Sequence, residues 1–313
     1  MGKTFSVLIP VYNREHLIGQ TLDSILSQTW DDWECIVVDD GSTDGTVRQL
    51  EAYASRDKRI KWFARPEDVP KGPNGCRNFA FSKSEGRYVK FFDSDDLLHP
   101  DALLETAAVT ADQPDVIVSA LNFFDETGVL AGRKHNYRSD NLIADYICDK
   151  ISWYVLQTWK RSFLNGQSEL FDVRLRHLDD WDFNLRMLYS DPKIAYIDRP
   201  LASYRVHSDS LSQQVGKLNL GEIKSEFEAR EKHVMLLSRN RKAPVALVRK
   251  YIRKRWAYIL RQGLLERNSE APYFFKKLLE AQFRSRDFYA MSRSVIGYFS
   301  FSLFRKGYKL LQP

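Results

Sequence analysis

Asp93-Ser94-Asp95-Asp96 packs three carboxylates into four residues. Carboxylates that close repel one another unless something positive sits among them. A divalent cation with oxygen ligands is the natural neutraliser. Mg²⁺ or Mn²⁺ takes one or two carboxylates and completes its shell with substrate phosphates. The plainer reading is a polar turn whose aspartate caps a helix beginning near Pro100. An EF-hand loop is excluded, because Leu98 stands where that loop needs glycine. Asp39 is a second candidate, since a carboxylate there can accept a hydrogen bond from the imide N–H of uracil. Asp40-Gly41 then makes a turn, and Ser42 or Thr43 can cap the next helix. His177-Leu178-Asp179-Asp180-Trp181-Asp182 is a second acidic cluster, and carboxylates suit the start of the helix-like stretch 183–188. Trp153, Tyr154, Trp159 and Trp181 could offer flat faces to a sugar ring, or simply pack a core.

These groups need a framework. Phe5-Ser6-Val7-Leu8-Ile9 is an apolar run that stops at Pro10, and Leu17, Ile18, Leu22, Ile25 and Leu26 follow at helical spacing. Glu34-Cys35-Ile36-Val37-Val38 is a second buried-strand pattern, ending at Asp39. Further strand candidates lie at 60–63, 88–92, 116–118 and 194–197. The alternation predicts an α/β domain with a largely parallel sheet. In such sheets the chemistry gathers at the C-terminal ends of strands. Tyr12-Asn13, Asp39-Asp40 and Asp93-Ser94-Asp95-Asp96 all stand there. After Ser212 proline and glycine become sparse while Arg, Lys, Leu and aromatics dominate. The expected division is a catalytic domain over 1–213 and a basic, mainly helical region over 214–313.

Four blocks occur in one recognisable order. They are Val7-Leu8-Ile9-Pro10-Val11-Tyr12-Asn13, Leu22-Asp23-Ser24-Ile25-Leu26-Ser27-Gln28-Thr29, Val37-Val38-Asp39-Asp40-Gly41-Ser42-Thr43-Asp44, and Arg77-Asn78 with the strand leading into Asp93-Ser94-Asp95-Asp96. Together they resemble glycosyltransferase family 2 from about residue 5 to 110. The likeness continues through 179–186 and Tyr204-Arg205-Val206-His207. It implies a GT-A fold, Rossmann-like with a mostly parallel sheet flanked by helices. It also implies inverting transfer of a sugar from a nucleotide donor, UDP-linked in preference to GDP or dTDP. Carried over, Asp39 reads the base, Tyr12 lies against uracil or ribose, and Pro10 and Val11 wall that pocket. Arg77 approaches the nucleotide, Asp93 and Ser94 face ribose or donor sugar, and Asp95 binds Mn²⁺ or Mg²⁺ with His207 completing the shell.

The family's acidic pair near the acceptor is commonly Glu-Asp, and here it is Asp179-Asp180. The resemblance makes Asp180 the general base and leaves Asp179 and Trp181 beside the acceptor. Cys76 replaces the frequent alanine before Arg-Asn, a small-for-small exchange. An acceptor hydroxyl would attack the anomeric carbon as the diphosphate leaves from the opposite face. A carboxylate can take the hydroxyl proton, and a divalent cation can stabilise the leaving diphosphate.

Composition narrows the alternatives. The chain has 313 residues, 43% hydrophobic and 28% charged, a globular balance. No uncharged run approaches the roughly 20 residues of a membrane-spanning helix, and the N-terminus reads as a first strand rather than a signal peptide. Cys35, Cys76 and Cys148 form no CxxC, so a disulfide framework is disfavoured and a reducing, cytoplasmic setting is expected. Residues 215–313 carry a net charge of +14 and the rest −8. The basic part, with Arg249-Lys250-Tyr251-Ile252-Arg253-Lys254-Arg255-Trp256 and a second aromatic and basic run at 298–306, is expected to meet an anionic membrane near a lipid-linked or glycan acceptor. A solvated helical domain is the alternative. A dinucleotide-binding enzyme lacks GxGxxG and a P-loop enzyme lacks GxxxxGK[ST]. An Asp93-nucleophile phosphatase normally carries its motif on the first strand. Nucleic-acid binding has only the basic tail in its favour.

Overall fold

The computed structural model describes residues 3–206 and 217–312. The elements run β1 (Phe5–Val11), α1 (Ile18–Leu26), β2 (Trp33–Asp39), α2 (Thr46–Arg56), β3 (Ile60–Ala64), α3 (Pro73–Lys83), β4 (Tyr88–Phe91), β5 (Leu97–Leu98), α4 (Ala102–Val109), β6 (Val116–Asp125) and β7 (Gly128–Val129). They continue with α5 (Leu142–Ile147), β8 (Thr158–Lys160), α6 (Arg161–Asn165), α7 (Asp179–Leu188) and β9 (Ile194–Arg205). Helices α8 (Leu220–Asn240), α9 (Val245–Leu265), α10 (Ala271–Arg284) and α11 (Phe288–Phe304) follow, with a 3-10 turn at Tyr308–Leu311. The chain divides into two compact units, one from Met1–Asp140 and Ile151–Ser208, the other from Asn141–Lys150 and Asp209–Pro313. Composition did not single out residues 141–150.

The first unit is a mixed α/β domain. Strands β3, β2, β1 and β4 are parallel neighbours in that order, and β8, β6, β9 and β5 extend the sheet. Strands β1 and β2 are buried along their whole length, as a parallel sheet covered by helices on both faces requires. Phe5, Val7, Ile9 and Val11 meet Ile18, Leu22 and Ile25 of α1 in one core. Each such fully buried side chain contributes about 1.5–3 kcal/mol relative to exposure. Val11 pairs with Asp39, and Leu8 with Phe91, so the C-terminal ends of β1, β2 and β4 share one edge. At Gly86, just before β4, any Cβ would lie 2.5 Å from the Ser6 nitrogen. Only glycine allows β4 to start that close to β1.

Two strands outrun their sequence signals. The apolar pattern predicts 116–118 and 194–197, yet β6 and β9 pair in parallel through Phe124 and Arg205. The register shifts near Ala120, which faces Pro200. Asp198 and Arg199, charged and exposed, bulge out of the register between Ile197 and Pro200, so the apolar pattern breaks where the strand does not. The helix after β2 also differs from expectation. Its N-cap position is Gly45, and the preceding Asp44 carboxylate accepts the Thr46 N–H at 3.0 Å. Ser42 instead accepts the Asn13 N–H at 2.9 Å and so ties two loops together.

The second unit is helical. Phe227 and Trp256 stack at 3.6 Å between ring centroids. Buried Arg230 bonds Asp149 at 2.9 Å and Glu226 at 3.2 Å, and Arg255 bonds Glu226 at 2.7 Å. No described helix is long and apolar enough to cross a membrane. Cys35, Cys76 and Cys148 are free thiols.

Candidate active site

The shared strand edge carries the base-reading candidate. Asp39 ends β2 and is 3% exposed. Its Oδ2 accepts the Gly41 and Ser42 N–H groups at 3.0 Å each. Its Oδ1 is buried with no hydrogen-bond partner. A buried acceptor left in that state costs about 1–3 kcal/mol until a donor reaches it. Tyr12 follows β1 and is 44% exposed, with the Lys71 ammonium 5.1 Å from its ring centroid. Pro10 and Val11 are buried within β1. Asn13, at φ +50°, accepts the Thr43 N–H at 2.8 Å and fixes the loop beside Tyr12. Asp40 has a different task. It binds Arg65 and accepts the Gly72 N–H at 2.9 Å, anchoring the entry to α3.

Helix α3 brings Arg77 to the centre. Arg77 is buried and donates to Asp93 at 2.7 Å, to Asp179 at 2.7 Å and to Asn74 at 3.1 Å. It also lies over the Phe171 ring at 5.1 Å. Asn78, next in the chain, exchanges two hydrogen bonds with the Phe171 backbone at 2.8 and 3.1 Å. The Arg-Asn pair therefore seats the loop before α7 and charges the site at once. Burial pushes Asp93 above the usual carboxylate range, while Arg77 opposes that shift. Ser94 is buried. Asp95 lies 3.8 Å from the Arg14 Nε. Asp96 accepts the Arg205 N–H at 2.8 Å, keeps its Oδ2 buried without a partner, and is raised well above the usual range by burial and by Asp95 and Asp93. His207 lies outside the described residues.

Asp179 and Asp180 open α7, after Leu178 at φ +60°. The helix is pressed onto β4 by Phe183, which stacks on Phe171 at 4.3 Å and meets Phe91 edge-on at 5.6 Å. Asp180 accepts the Trp181 N–H at 2.7 Å. Burial first, and then the Asp179 charge, push its carboxyl up to about 7. Tyr204 and Tyr154 pack at 4.8 Å, and the Asp180 carboxylate contributes to raising both hydroxyls after burial has done most of it. The segment bearing Tyr154 is held by buried side chains. Asn184 donates to the Tyr154 carbonyl at 2.5 Å, Gln157 to the Trp153 carbonyl and Lys90 to the Leu156 carbonyl. Burial pulls Lys90 down to about 7. Trp153, Trp159 and Trp181 are buried, whereas Tyr154 is partly exposed.

Among the described residues no three His, Cys, Asp or Glu side chains gather into a ready-made metal site. Asp95 offers one hard oxygen ligand. That donor set fits a Mg²⁺ or Mn²⁺ whose shell is largely phosphate and water. Arg14 and Lys71 were missed as neighbours of this site, while Asp96, Tyr204 and Arg205 were named within their motifs but given no separate role. Arg14 and Lys71 meet Asp95 and Tyr12 at 81 and 59 residues' separation, where spacing gives no signal.

A family model described as glycosyl transferase family 2 matches residues 6–171. The chain is 29% identical to EpsH of Bacillus subtilis over 225 residues, 68% of this chain and 63% of that one. It is 30% identical over 195 residues to a poly(ribitol-phosphate) beta-glucosyltransferase of Bacillus spizizenii, 61% of this chain and 30% of the relative. The chain thus spans less than two thirds of the length of these relatives. Among solved structures, S. aureus TarS 1-349 in complex with UDP-GlcNAc superimposes with a TM-score of 0.56 at 21% identity, covering 97% of this chain and 76% of TarS 1-349. At that identity the likeness shows the fold, and the fold is GT-A with a helical C-terminal region.

Proposed function

The chain belongs to glycosyl transferase family 2, and from that premise we propose that it moves a sugar from a nucleotide diphosphate donor to a hydroxyl of a glycan or lipid-linked acceptor, with inversion. A UDP-sugar is the preferred donor. The observation that carries this choice is the orphaned Asp39 Oδ1, buried beside exposed Tyr12 at the end of β2. An acceptor there asks for a donor such as the imide N–H of uracil, and Tyr12 offers a face for the ring. Thymine presents the same imide, whereas cytosine presents an acceptor and is disfavoured. The TarS 1-349 structures with UDP and with UDP-GlcNAc support the same donor class.

The residues then divide the work. Asp93, held by Arg77, faces ribose or donor sugar. Asp180 takes the acceptor hydroxyl proton. A carboxyl raised to about 7 suits that task, because a base poised near the working pH is both available and strong enough. Asp95, with His207, would hold a Mn²⁺ or Mg²⁺ that when bound supplies Lewis-acid stabilisation to the leaving diphosphate. A fold neighbour from Pyrobaculum calidifontis, a mannosyltransferase, was solved with GDP-Man and Mn²⁺, which supports a cation of this kind. Asp179 bonds Arg77 and so fixes the first turn of α7 under Asp180. No covalent intermediate is needed.

The acceptor reading draws on α11. Tyr289, Ile296, Phe299 and Leu303 are exposed large apolar side chains on one face of that helix, and Arg305 and Lys306 follow at its end. Such a face matches an anionic lipid surface. A donor screen tests the whole reading. Metal-dependent hydrolysis of a UDP-sugar, lost in Asp95→Ala, is the expected result. Release of nucleotide from no donor at all would remove the proposal.

A further inference from the structure

The basic run of the second unit is not one uniform surface. Arg255 is paired with Glu226 at 2.7 Å. Lys250, Arg253 and Lys254, at helical spacing on α9, instead line a cavity of about 240 Å³, with Arg293 of α11 opposite. Among the described lining residues one carboxylate answers these four cations, that of Asp287. It is already engaged, since it accepts the Ala290 N–H at 3.2 Å as the cap of α11 and lies 3.9 Å from Arg253. Like charges one helical turn apart, such as Lys250 and Lys254, repel. The cavity wall therefore carries a net charge of three positive units without a counter-charge from the lining.

A second observation comes from the uncharged part of the wall. Gln282 is 5% exposed and donates through Nε2 to the Ser294 hydroxyl at 2.8 Å. Its Oε1 is buried and has no hydrogen-bond partner. An orphaned acceptor among cations calls for a ligand that is anionic and also carries an O–H. Leu278, Leu310 and Leu311 add an apolar side to the cavity.

We propose that this cavity is a binding site for a hydroxyl-bearing phosphate ester, of which a glycerol phosphate group is the simplest case. A phosphate monoester carries about −1.5 to −2 charge near neutral pH and three strong acceptor oxygens, and a diester headgroup keeps a single negative charge and the two non-bridging oxygens. Guanidinium groups match such oxygens with paired N–H donors, and lysines add point charge. The volume lies just below the range of about 300–1,000 Å³ usual for small-molecule sites. It suits a phosphate with a few attached atoms rather than a nucleotide. The site lies entirely within the second unit and is independent of the donor chemistry proposed above.

The test uses the full chain in 150 mM-range salt, with calorimetry on glycerol 3-phosphate and inorganic phosphate. Saturable binding of glycerol 3-phosphate is expected, tighter than inorganic phosphate. Arg293→Gln and Lys254→Gln should each weaken it at least tenfold. Lys254 is exposed, so that variant keeps the test valid even if Arg293→Gln unfolds the chain. Gln282→Met should abolish the preference over inorganic phosphate. Vesicles of phosphatidylglycerol in phosphatidylcholine then separate the sources. Displacement of glycerol 3-phosphate by these vesicles, and not by pure phosphatidylcholine, assigns the site to a lipid headgroup, whereas no displacement assigns it to a soluble ester. Absence of saturable binding by any of these probes, or binding indifferent to both charge variants, overturns the proposal.

Discussion

Arg77 on α3 and Asp179 on α7 are joined by a 2.7 Å hydrogen bond across 102 residues of sequence. The other arm of the same guanidinium holds Asp93, 2.7 Å away. One buried cation therefore couples the strand-end aspartates to the helix that presents Asp180. Without it, Asp93, Asp179 and Asp180 would crowd one another with no positive charge among them.

Removing that cation should cost both stability and activity. Breaking a buried ion pair by deleting one partner typically costs about 3–5 kcal/mol, because the remaining charge is stranded. Arg77→Leu strands two carboxylates that are themselves mostly covered. Urea denaturation should show a loss in that range. A loss below about 1 kcal/mol would mean that Arg77 is not the keystone of this cluster.

Asp180, as the proposed base, should give the acid limb of the pH profile. Its carboxyl is raised to about 7, so below that pH it is protonated and cannot take the acceptor proton. Transfer should rise with pH and level off above about 7. The Asp179 charge is one cause of the shift. In Asp179→Asn that repulsion disappears and Arg77 loses one of its carboxylates, so the limb should move to lower pH. A limb that stays in place would show that Asp179 does not act on the base.

Asp180→Asn separates catalysis from folding. General-base loss should lower transfer by about 10²–10⁴-fold, with UDP binding kept. The stability effect has the opposite sign. Asp180 is raised in the folded chain, so the folded state holds its proton more tightly than the unfolded one, and stability falls as pH rises from about 4 to about 7. Asparagine cannot ionise. The variant should match the wild type at pH 4 and exceed it at pH 8. Unchanged transfer would remove Asp180 from its role, and equal stability at both pH values would remove the charge argument.

The base pocket can be inverted by one atom. In Asp39→Asn the amide oxygen can keep the Gly41 and Ser42 N–H bonds, which turns the amide nitrogen toward the place now held by the orphaned Oδ1. A donor there opposes the uracil imide N–H and suits the N3 acceptor of cytosine. UDP affinity should fall at least tenfold, about 1.4 kcal/mol, while CDP gains relative to UDP. Titrations of both nucleotides check this. A uniform loss for the two would indicate a collapsed loop rather than a reversed reading.

Much of this arrangement was legible in the sequence, and for physical reasons. The strand runs ending at Val11 and Asp39 are continuous apolar segments closed by polar residues, so fold and site edge could be read together. The long pairing of β6 with β9 could not, because Asp198 and Arg199 interrupt the apolar pattern while a bulge carries them out of the register and pairing resumes at Pro200. The engagement of Arg77 by both Asp93 and Asp179 was equally hidden. The resemblance turned Arg77 toward the nucleotide, and nothing local says that a residue 102 positions away shares it. The burial of Asp96 and Lys90 could not be read, because charged residues inside a strand or turn read as solvent-facing until tertiary packing covers them.

The exposed face of α11 supplies the last test. Ile296, Phe299 and Leu303 are more than half exposed, an unfavourable arrangement in water unless something apolar covers them. Burying three such side chains in a lipid interface would contribute several kcal/mol, and nearby Lys and Arg add about 1 kcal/mol each against anionic headgroups. These terms differ in their response to salt. Raising salt weakens the electrostatic part and leaves the apolar part intact, so binding should decline without vanishing. Phe299→Glu with Leu303→Glu removes the apolar part and adds repulsion from the anionic surface. Flotation with phosphatidylglycerol vesicles should recover the wild-type chain and lose at least tenfold for the double variant, while hydrolysis of the soluble donor is unchanged. Equal flotation of the two proteins would show that α11 does not meet the bilayer, and the lipid-linked acceptor would lose its structural support.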